Sequence, residues 1–304
     1  MQYALFADES EEVEVRPDGR VRPGRAAPFK SQLLKWIGNK QKFAHEIIST
    51  FPDDYGTYHE PFIGAGGVMA TLSPRSAIGS DIFGPLVEIW QELSSDPERL
   101  KTWYAARWAI YKDGDRVEQY EQIKASYNAR PNGADLLFLC RSCYGGVVRF
   151  RKRDGYMSTP CGAHEPIHPE SFSQRVESWH QRMKGARFER MDYAEAMARA
   201  QTGDLVYCDP PYSYSQAILY GAQDFRLDDL FKAVAACKER GVRVALSIDG
   251  TKKSGDFYCD IKIPEGLFEN ELLVNVGRSM LRRFQMSGQT LEAEEVRDRL
   301  LLTY

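Results

Sequence analysis

Long apolar runs are missing from this 304-residue chain. The strongest, Asp135 to Cys140, falls far short of the roughly 20 residues that cross a bilayer, so no membrane association is expected. Missing too is an excess of positive charge: the net charge of −3 argues against a protein that coats nucleic acid indiscriminately, although it leaves room for a local basic face. Cysteine is sparse, with Cys140, Cys143, Cys161, Cys208, Cys237 and Cys259 scattered over the length, so reduced thiols are expected rather than a disulfide frame. The first 25 residues lack the basic start, apolar middle and small-residue cleavage site of a secretory signal, and a cytoplasmic location is the expectation. Histidine is scarce as well. His45, His59 and His180 stand without a recognisable nucleophile or ligand set, so packing or surface roles are assigned to them. No internal repeat or low-complexity tract is present.

What is present can bury one sizeable core and still carry a smaller lobe, with 43% apolar and 12% aromatic residues. Residues 1–30 offer turns but little periodicity and read as a poorly ordered extension. From Ser31 the pattern gives a helix over about 40–51, a short strand ending at Pro61-Phe62, a Gly-rich turn and a helix through Leu72. A strand over 76–82 and a helix over 85–93 follow. This is half of a doubly wound α/β sheet. After an interruption the same rhythm resumes, with strands over 187–192, 204–208 and 242–248, helices over 193–200 and 227–240, and two apolar runs, 271–276 and 299–304, able to close the sheet. Residues 31–96 and 188–304 are therefore assigned to one α/β domain, interrupted by a mainly helical insertion over 97–187.

Two constellations carry chemistry. In Glu60-Pro-Phe-Ile-Gly-Ala-Gly-Gly67 a Gly-rich turn lies between a strand and a helix, with Asp81 at the end of the next strand. Such turns let the backbone approach a ligand while the later carboxylate accepts ribose hydroxyls, but the turn alone does not distinguish a ligand cradle from a plain connection. The second is Asp209-Pro-Pro-Tyr212, placed directly after a buried strand, where open α/β sheets bind ligands. Consecutive prolines stiffen the loop and remove N–H donors, leaving an acceptor platform. An exocyclic purine amine is a poor nucleophile, because its lone pair is delocalised into the ring. Asp209 and the Pro210 carbonyl can accept its N–H groups and localise that pair towards a methyl sulfonium, while Tyr212 stacks on the base. Such catalysis is positioning and electrostatics, without a metal or a covalent intermediate. Tyr214 and Tyr220 either line the same base pocket or pack the loop against the core.

Basic residues cluster twice, at Arg141, Arg149, Arg151, Lys152 and Arg153 and at Arg278, Arg282 and Arg283. Alone, either cluster reads equally well as a solvated surface. Cys140-x-x-Cys143 and Cys161-x-x-His164, with His168 nearby, have spacings compatible with zinc. Since Cys140 ends a strongly apolar helix, buried thiols are preferred and no metal is expected.

Four motifs together are specific: Lys35-Trp-Ile-Gly-Asn-Lys40, Phe62-Ile-Gly-Ala-Gly66, Arg141-Ser-Cys-Tyr-Gly-Gly146 with Arg149, and Gly203 to Tyr212. In this order the chain from Ser31 resembles the Dam-type (alpha-group, D12 class) DNA adenine methyltransferases. The resemblance implies a Rossmann-like S-adenosylmethionine methyltransferase sheet, with 97–187 as a DNA target-recognition domain and methyl transfer to N6 of an adenine flipped from duplex DNA. It implies Asp209, Pro210 and Tyr212 as catalytic residues. Trp36, Lys40, Phe62, Gly64, Gly66, Asp81, Ile82, Asp192, Tyr193 and Asp209 are implied as the cofactor site. Tyr144 and the basic residues Arg141, Arg149, Arg151, Lys152 and Arg153 are implied as DNA contacts. A cognate restriction endonuclease encoded nearby is a compatible partner, and no stable protein partner is required. Cytosine N4 methylation and a catalytically silent regulator on the same scaffold are the competing readings. The sequence departs from the family at Asn39 and Gly145, where Gly and Asn are usual, and in Leu246-Ser-Ile-Asp249.

Overall fold

The computed structural model describes residues 26–211, 225–252, 257–258, 261–277 and 296–304. Tyr212, Tyr214, Tyr220, Cys259, Arg278, Arg282 and Arg283 lie outside this set, as does the N-terminal extension through residue 25.

Five parallel strands form the sheet's centre: β1 (Tyr58–Glu60), β2 (Ala77–Asp81), β3 (Ala186–Arg190), β4 (Leu205–Cys208) and β5 (Arg243–Lys252). β6 (Phe257–Tyr258) pairs antiparallel with β5, and β7 (Asn270–Gly277) and β8 (Val296–Leu302) continue the sheet antiparallel. The order β3-β2-β1-β4-β5-β8-β7 reverses direction between β1 and β4. The crevice outside the carboxyl ends of those two strands is where such sheets take ligands.

Every residue of β1 and β4 is buried, as strands covered on both faces must be. The two-residue alternation divides their side chains between two cores. Leu205 and Tyr207 of β4, Ala245 of β5 and Leu300 and Leu302 of β8 enter one apolar cluster. Val206 and Cys208, Val244 and Leu246, and Leu301 enter the other. Helices α8 (Tyr193–Arg199) and α9 (Leu227–Glu239) cover the second face. The first is covered by α1 (Ala44–Ile48), α2 (Gly67–Leu72) and α3 (Gly84–Ser95).

The interruption is helical, as expected: α4 (Pro97–Lys112), α5 (Arg116–Ala129), α6 (Gly133–Ser142) and α7 (Pro169–Arg182). Local chemistry sets where these helices begin. The side chains of Asp96, Asp115 and Asn132 accept the N–H groups of Arg99, Val117 and Glu118, and Asp135, while Pro97 and Pro169 occupy first-turn positions whose N–H has no helical partner. These helices have no core of their own. Tyr104, Phe138, Phe172 and Trp179 belong to the same cluster as Tyr58 and Trp90 of the sheet layer, with the Trp90 and Trp179 rings stacked at 5.5 Å and Tyr104 on Phe172 at 3.9 Å. Between α6 and α7 a hairpin joins Phe150 to Met157 and presents residues 151–156 at its tip. The helix expected over 40–51 is shorter than its pattern suggests, a single 3-10 turn at Gln41–Phe43 followed by α1.

His59 and His180 have packing roles. The ring of His59 pairs with Asp204 at 3.0 Å near the amino ends of the strands, and that of His180 bonds the Leu93 carbonyl.

Candidate active site

A cavity of about 290 Å³ opens at the carboxyl ends of β1 and β4. Its wall combines the first motif (Trp36 to Lys40), the Gly-rich turn (Glu60 to Val68), Asp81 and Ile82 after β2, Asp192 and Tyr193 after β3, and Asp209 and Pro211 after β4. Sequence segments as far apart as Trp36 and Phe225 thus meet in one space. The ten residues expected to form a cofactor site all line it.

The Gly-rich turn owes its shape to glycine. Gly64 and Gly66 have φ of +45° and +63°, in the left-handed region that side chains with a Cβ seldom enter. At Gly67 the need is closeness, since a Cβ would fall 2.6 Å from Asn39 Oδ1 and 2.8 Å from the Gln41 nitrogen. The first motif is thereby seated against the start of α2. Asn39 there accepts the Gln41 N–H at 2.9 Å, so the departure from glycine at this position contributes a cap to the turn that follows. Asp81 is fixed at the rim, accepting the Phe83 N–H at 3.0 Å and the Gly64 N–H at 3.3 Å. Phe62 stacks on Tyr193 with centroids 5.1 Å apart and Phe225 meets both rings, while Ile82 stands 51% exposed across the opening. Together these form a flat, apolar slot with Asp192 at its edge, whose carboxylate also caps α8 through Ala194 N–H.

Deeper in the cavity lies a charge cluster. Lys40 is buried with its Nζ 2.9 Å from Asp209 Oδ1 and 3.2 Å from Asp298 Oδ2. Burial alone would lower the lysine's pKa, yet the two carboxylates hold it well above its ordinary value. Lys40 is therefore a resident cation at neutral pH. Glu60 behaves oppositely: burial, reinforced by the charge of Asp209 and partly opposed by the hydroxyl of Tyr58, which donates to it at 2.9 Å, pushes its carboxyl up to about 8. Asp298 and Glu60 were not anticipated as site residues. Glu60 opened the Gly-rich constellation without being assigned a role, whereas Asp298 reaches the site only through the pairing of β8 with β5. Pro210 is buried and, unlike Asp209 and Pro211, does not line the cavity.

The residues expected to contact DNA divide. Tyr144 is 49% exposed beside the cavity's first motif, with Gly146 against Lys35. Arg151, Lys152 and Arg153 lie at the hairpin tip, where Asp154 pairs with both arginines and the Arg151 guanidinium covers the Tyr156 ring at 4.1 Å. Arg149 is half-buried at the hairpin's base. Arg141 departs from the expectation. Only 4% exposed, it turns inward and donates to the carbonyls of Gln32 and Leu33, so it offers nothing to a phosphate. Gly145 adopts φ +65°, a conformation that Gly and Asn share, which accounts for its standing where Asn is usual.

Cys143 and Cys161 stand opposite each other in an isolated antiparallel bridge, but the two cysteine spacings do not assemble a ligand set among the described residues. Cys140 and Cys143 direct their thiols to the carbonyls of Leu137 and Cys140, and burial pushes them up to about 11 and about 12. Among the described residues no group of three or more His, Cys, Asp or Glu is placed to hold a metal. Among them, too, no helix is long and apolar enough to cross a membrane.

The sequence model for D12 class N6 adenine-specific DNA methyltransferases matches residues 36–273, spanning the cavity's first motif through β7. The chain belongs to that family. As a DNA adenine methyltransferase it is an enzyme, and neither cytosine N4 chemistry nor a silent regulator agrees with this membership. Similar proteins include a DNA adenine methylase of Vibrio cholerae, 29% identical over 239 residues that cover 74% of this chain and 84% of the relative. The type II methyltransferase M1.LlaDCHI of Lactococcus lactis is 25% identical over 76% of this chain and 85% of its own. The DNA adenine methylase of Escherichia coli K12 is 28% identical over 76% and 85%.

Proposed function

We propose that this adenine methyltransferase takes its methyl group from S-adenosylmethionine and places it on N6 of an adenine flipped out of duplex DNA, with Asp209 and the Pro210 carbonyl as acceptors for the amine. The observation that carries the reading is the meeting of Asp209, the Gly-rich turn and Asp81 in one cavity. S-adenosylmethionine supplies an electrophilic methyl on a sulfonium centre. The chain's residues fit such a molecule. Asp81, held by two backbone N–H groups, presents a carboxylate to ribose hydroxyls, and the Phe62, Tyr193 and Ile82 slot takes a purine with Asp192 at its amino group. The bends at Gly64 and Gly66 let the backbone run close to the remainder, with Trp36 alongside. Lys40 occupies one oxygen of Asp209, which fixes the carboxylate's rotation.

Reaching N6 requires the base to leave the stack. Tyr144 and the hairpin residues Arg149, Arg151, Lys152 and Arg153 are assigned to DNA, with 97–187 as the target-recognition unit. The basic tip suits phosphate neutralisation. A DNA substrate supports a cytoplasmic location. Similarity to a type II methyltransferase supports pairing with a cognate restriction endonuclease, which would be tested by asking whether expression protects host DNA from cleavage by an endonuclease encoded beside the gene.

The deciding experiment incubates the protein with tritiated S-adenosylmethionine and DNA of mixed sequence, then digests to nucleosides. Label in N6-methyl-2′-deoxyadenosine is expected for the native chain. It should be absent for Asp209→Ala, which retains DNA affinity. An Asp209→Ala variant as active as the native enzyme would remove the carboxylate from the mechanism.

A further inference from the structure

Residues 26–36 form no helix or strand, yet they lead directly into Trp36 and Lys40 of the cavity wall. Their backbone must find partners elsewhere. It finds them on α6 and α7. Nη1 of Arg141, at the end of α6, donates to both the Gln32 carbonyl (3.1 Å) and the Leu33 carbonyl (2.7 Å). Arg175 of α7 donates to the same Gln32 carbonyl at 2.8 Å, and the indole of Trp179 donates to the Ser31 carbonyl at 2.6 Å. Three consecutive carbonyls are thus taken by side chains of the inserted helices. The Arg182 guanidinium covers Phe29 at 4.2 Å, and Leu33 and Leu34 are fully buried beneath the segment.

Arg141 is the centre of this clamp. Its guanidinium is held by carbonyls rather than by a carboxylate among the described residues, with the Phe172 ring at 5.8 Å and its Nε buried without a partner. A charge kept inside on those terms resists release of the segment, because detachment would strand it. We infer that Arg141, with Arg175 and Trp179, is a positioning residue for the methyl-donor pocket. It fixes the carbonyls of residues 31–33 and through them the placement of Trp36. The helices assigned to DNA recognition thereby hold one wall of the donor site. This rests on the reading of the cavity as the S-adenosylmethionine site.

The test uses the full chain, with S-adenosylhomocysteine as probe in calorimetry and DNA binding measured over a series of salt concentrations. Arg141→Met should weaken probe binding tenfold or more and raise KM for S-adenosylmethionine in parallel. The kcat at saturating donor should stay within threefold, a split that simple loss of folded enzyme would not produce. Arg141→Lys should recover much of the loss, since one nitrogen makes both bonds. Arg175→Met, which alters a half-buried side chain outside the cavity, should weaken the probe by three- to tenfold and decides the matter if Arg141→Met does not fold. Unchanged probe affinity in the variants overturns the inference. So does a drop of about one in the slope of log affinity against log salt for Arg141→Met, the mark of a phosphate left without its cation. Failure of the native chain itself to bind the probe overturns instead the assignment of the cavity, and the inference with it.

Discussion

Glu60 keeps its proton at neutral pH because burial and the neighbouring Asp209 both penalise its charged form. Between its ordinary value of 4.5 and about 8, an unfolded chain has released this proton while the folded one still holds it. Stability from this group is full at lower pH and declines across that window, by up to about 1.4 kcal/mol per pH unit. Urea denaturation from pH 5 to pH 8 should therefore show a steeper loss for the native chain than for Glu60→Gln, and parallel curves would refute a protonated Glu60. Asp298 is the second residue with a specific consequence. It shares Lys40 with Asp209, so Asp298→Asn leaves the lysine with one of these two carboxylate partners and removes the anchor that sets its position against Asp209. Turnover at saturating donor and DNA should fall about tenfold or more, since about 1.4 kcal/mol of transition-state stabilisation already amounts to that factor. Asp298→Glu should restore part of it; an Asn variant with native kcat would dissociate Asp298 from the reaction.

At the scale of elements, the hairpin between α6 and α7 turns its charged side chains outward. Asp154 pairs with Arg151 and Arg153, so the tip is less basic than its sequence suggests, and Lys152 stands exposed beside them. Replacing Arg151, Lys152 and Arg153 by Gln should weaken DNA binding at low salt and flatten the salt dependence by about 0.9 for each phosphate that is no longer neutralised. Donor binding should be unaffected, and a salt slope equal to that of the native chain would place the DNA elsewhere. The contrast between this hairpin and Arg141 shows where sequence reading reaches its limit. Both belong to one basic run, and nothing within that run tells an exposed arginine from one turned inward; the distinction arises from the carbonyls of Gln32 and Leu33, 109 and 108 residues away. Features set by neighbouring residues were legible: the strand-turn-helix around Gly64 and the loop placed directly after β4. Asp298 was not, because an aspartate between two arginines early in β8 gains meaning only from the strand beside it.

For the molecule as a whole, the insertion is a separate unit in sequence but not in packing. Trp90 of α3 stacks on Trp179 of α7, Tyr104 of α4 lies between Phe138 and Phe172, and all of these join the cluster that covers one face of the sheet. A domain able to fold alone needs its own apolar centre, and here the centre is shared. Residues 31–36 tie the two parts further, since their carbonyls depend on α6 and α7 while Trp36 serves the cavity. Urea should accordingly unfold the chain in one transition, with tryptophan fluorescence and far-ultraviolet circular dichroism changing together. The fragment 97–187 expressed alone should lack sharp near-ultraviolet signals, because its aromatic residues would be without the sheet-layer rings they pack against. Two separated transitions, or a fragment with native-like dichroism, would make the insertion an autonomous module. A single transition would mean that loosening a helix of the proposed recognition unit also loosens the cavity wall at Trp36, so that the proposed DNA and methyl-donor sites would respond as one body.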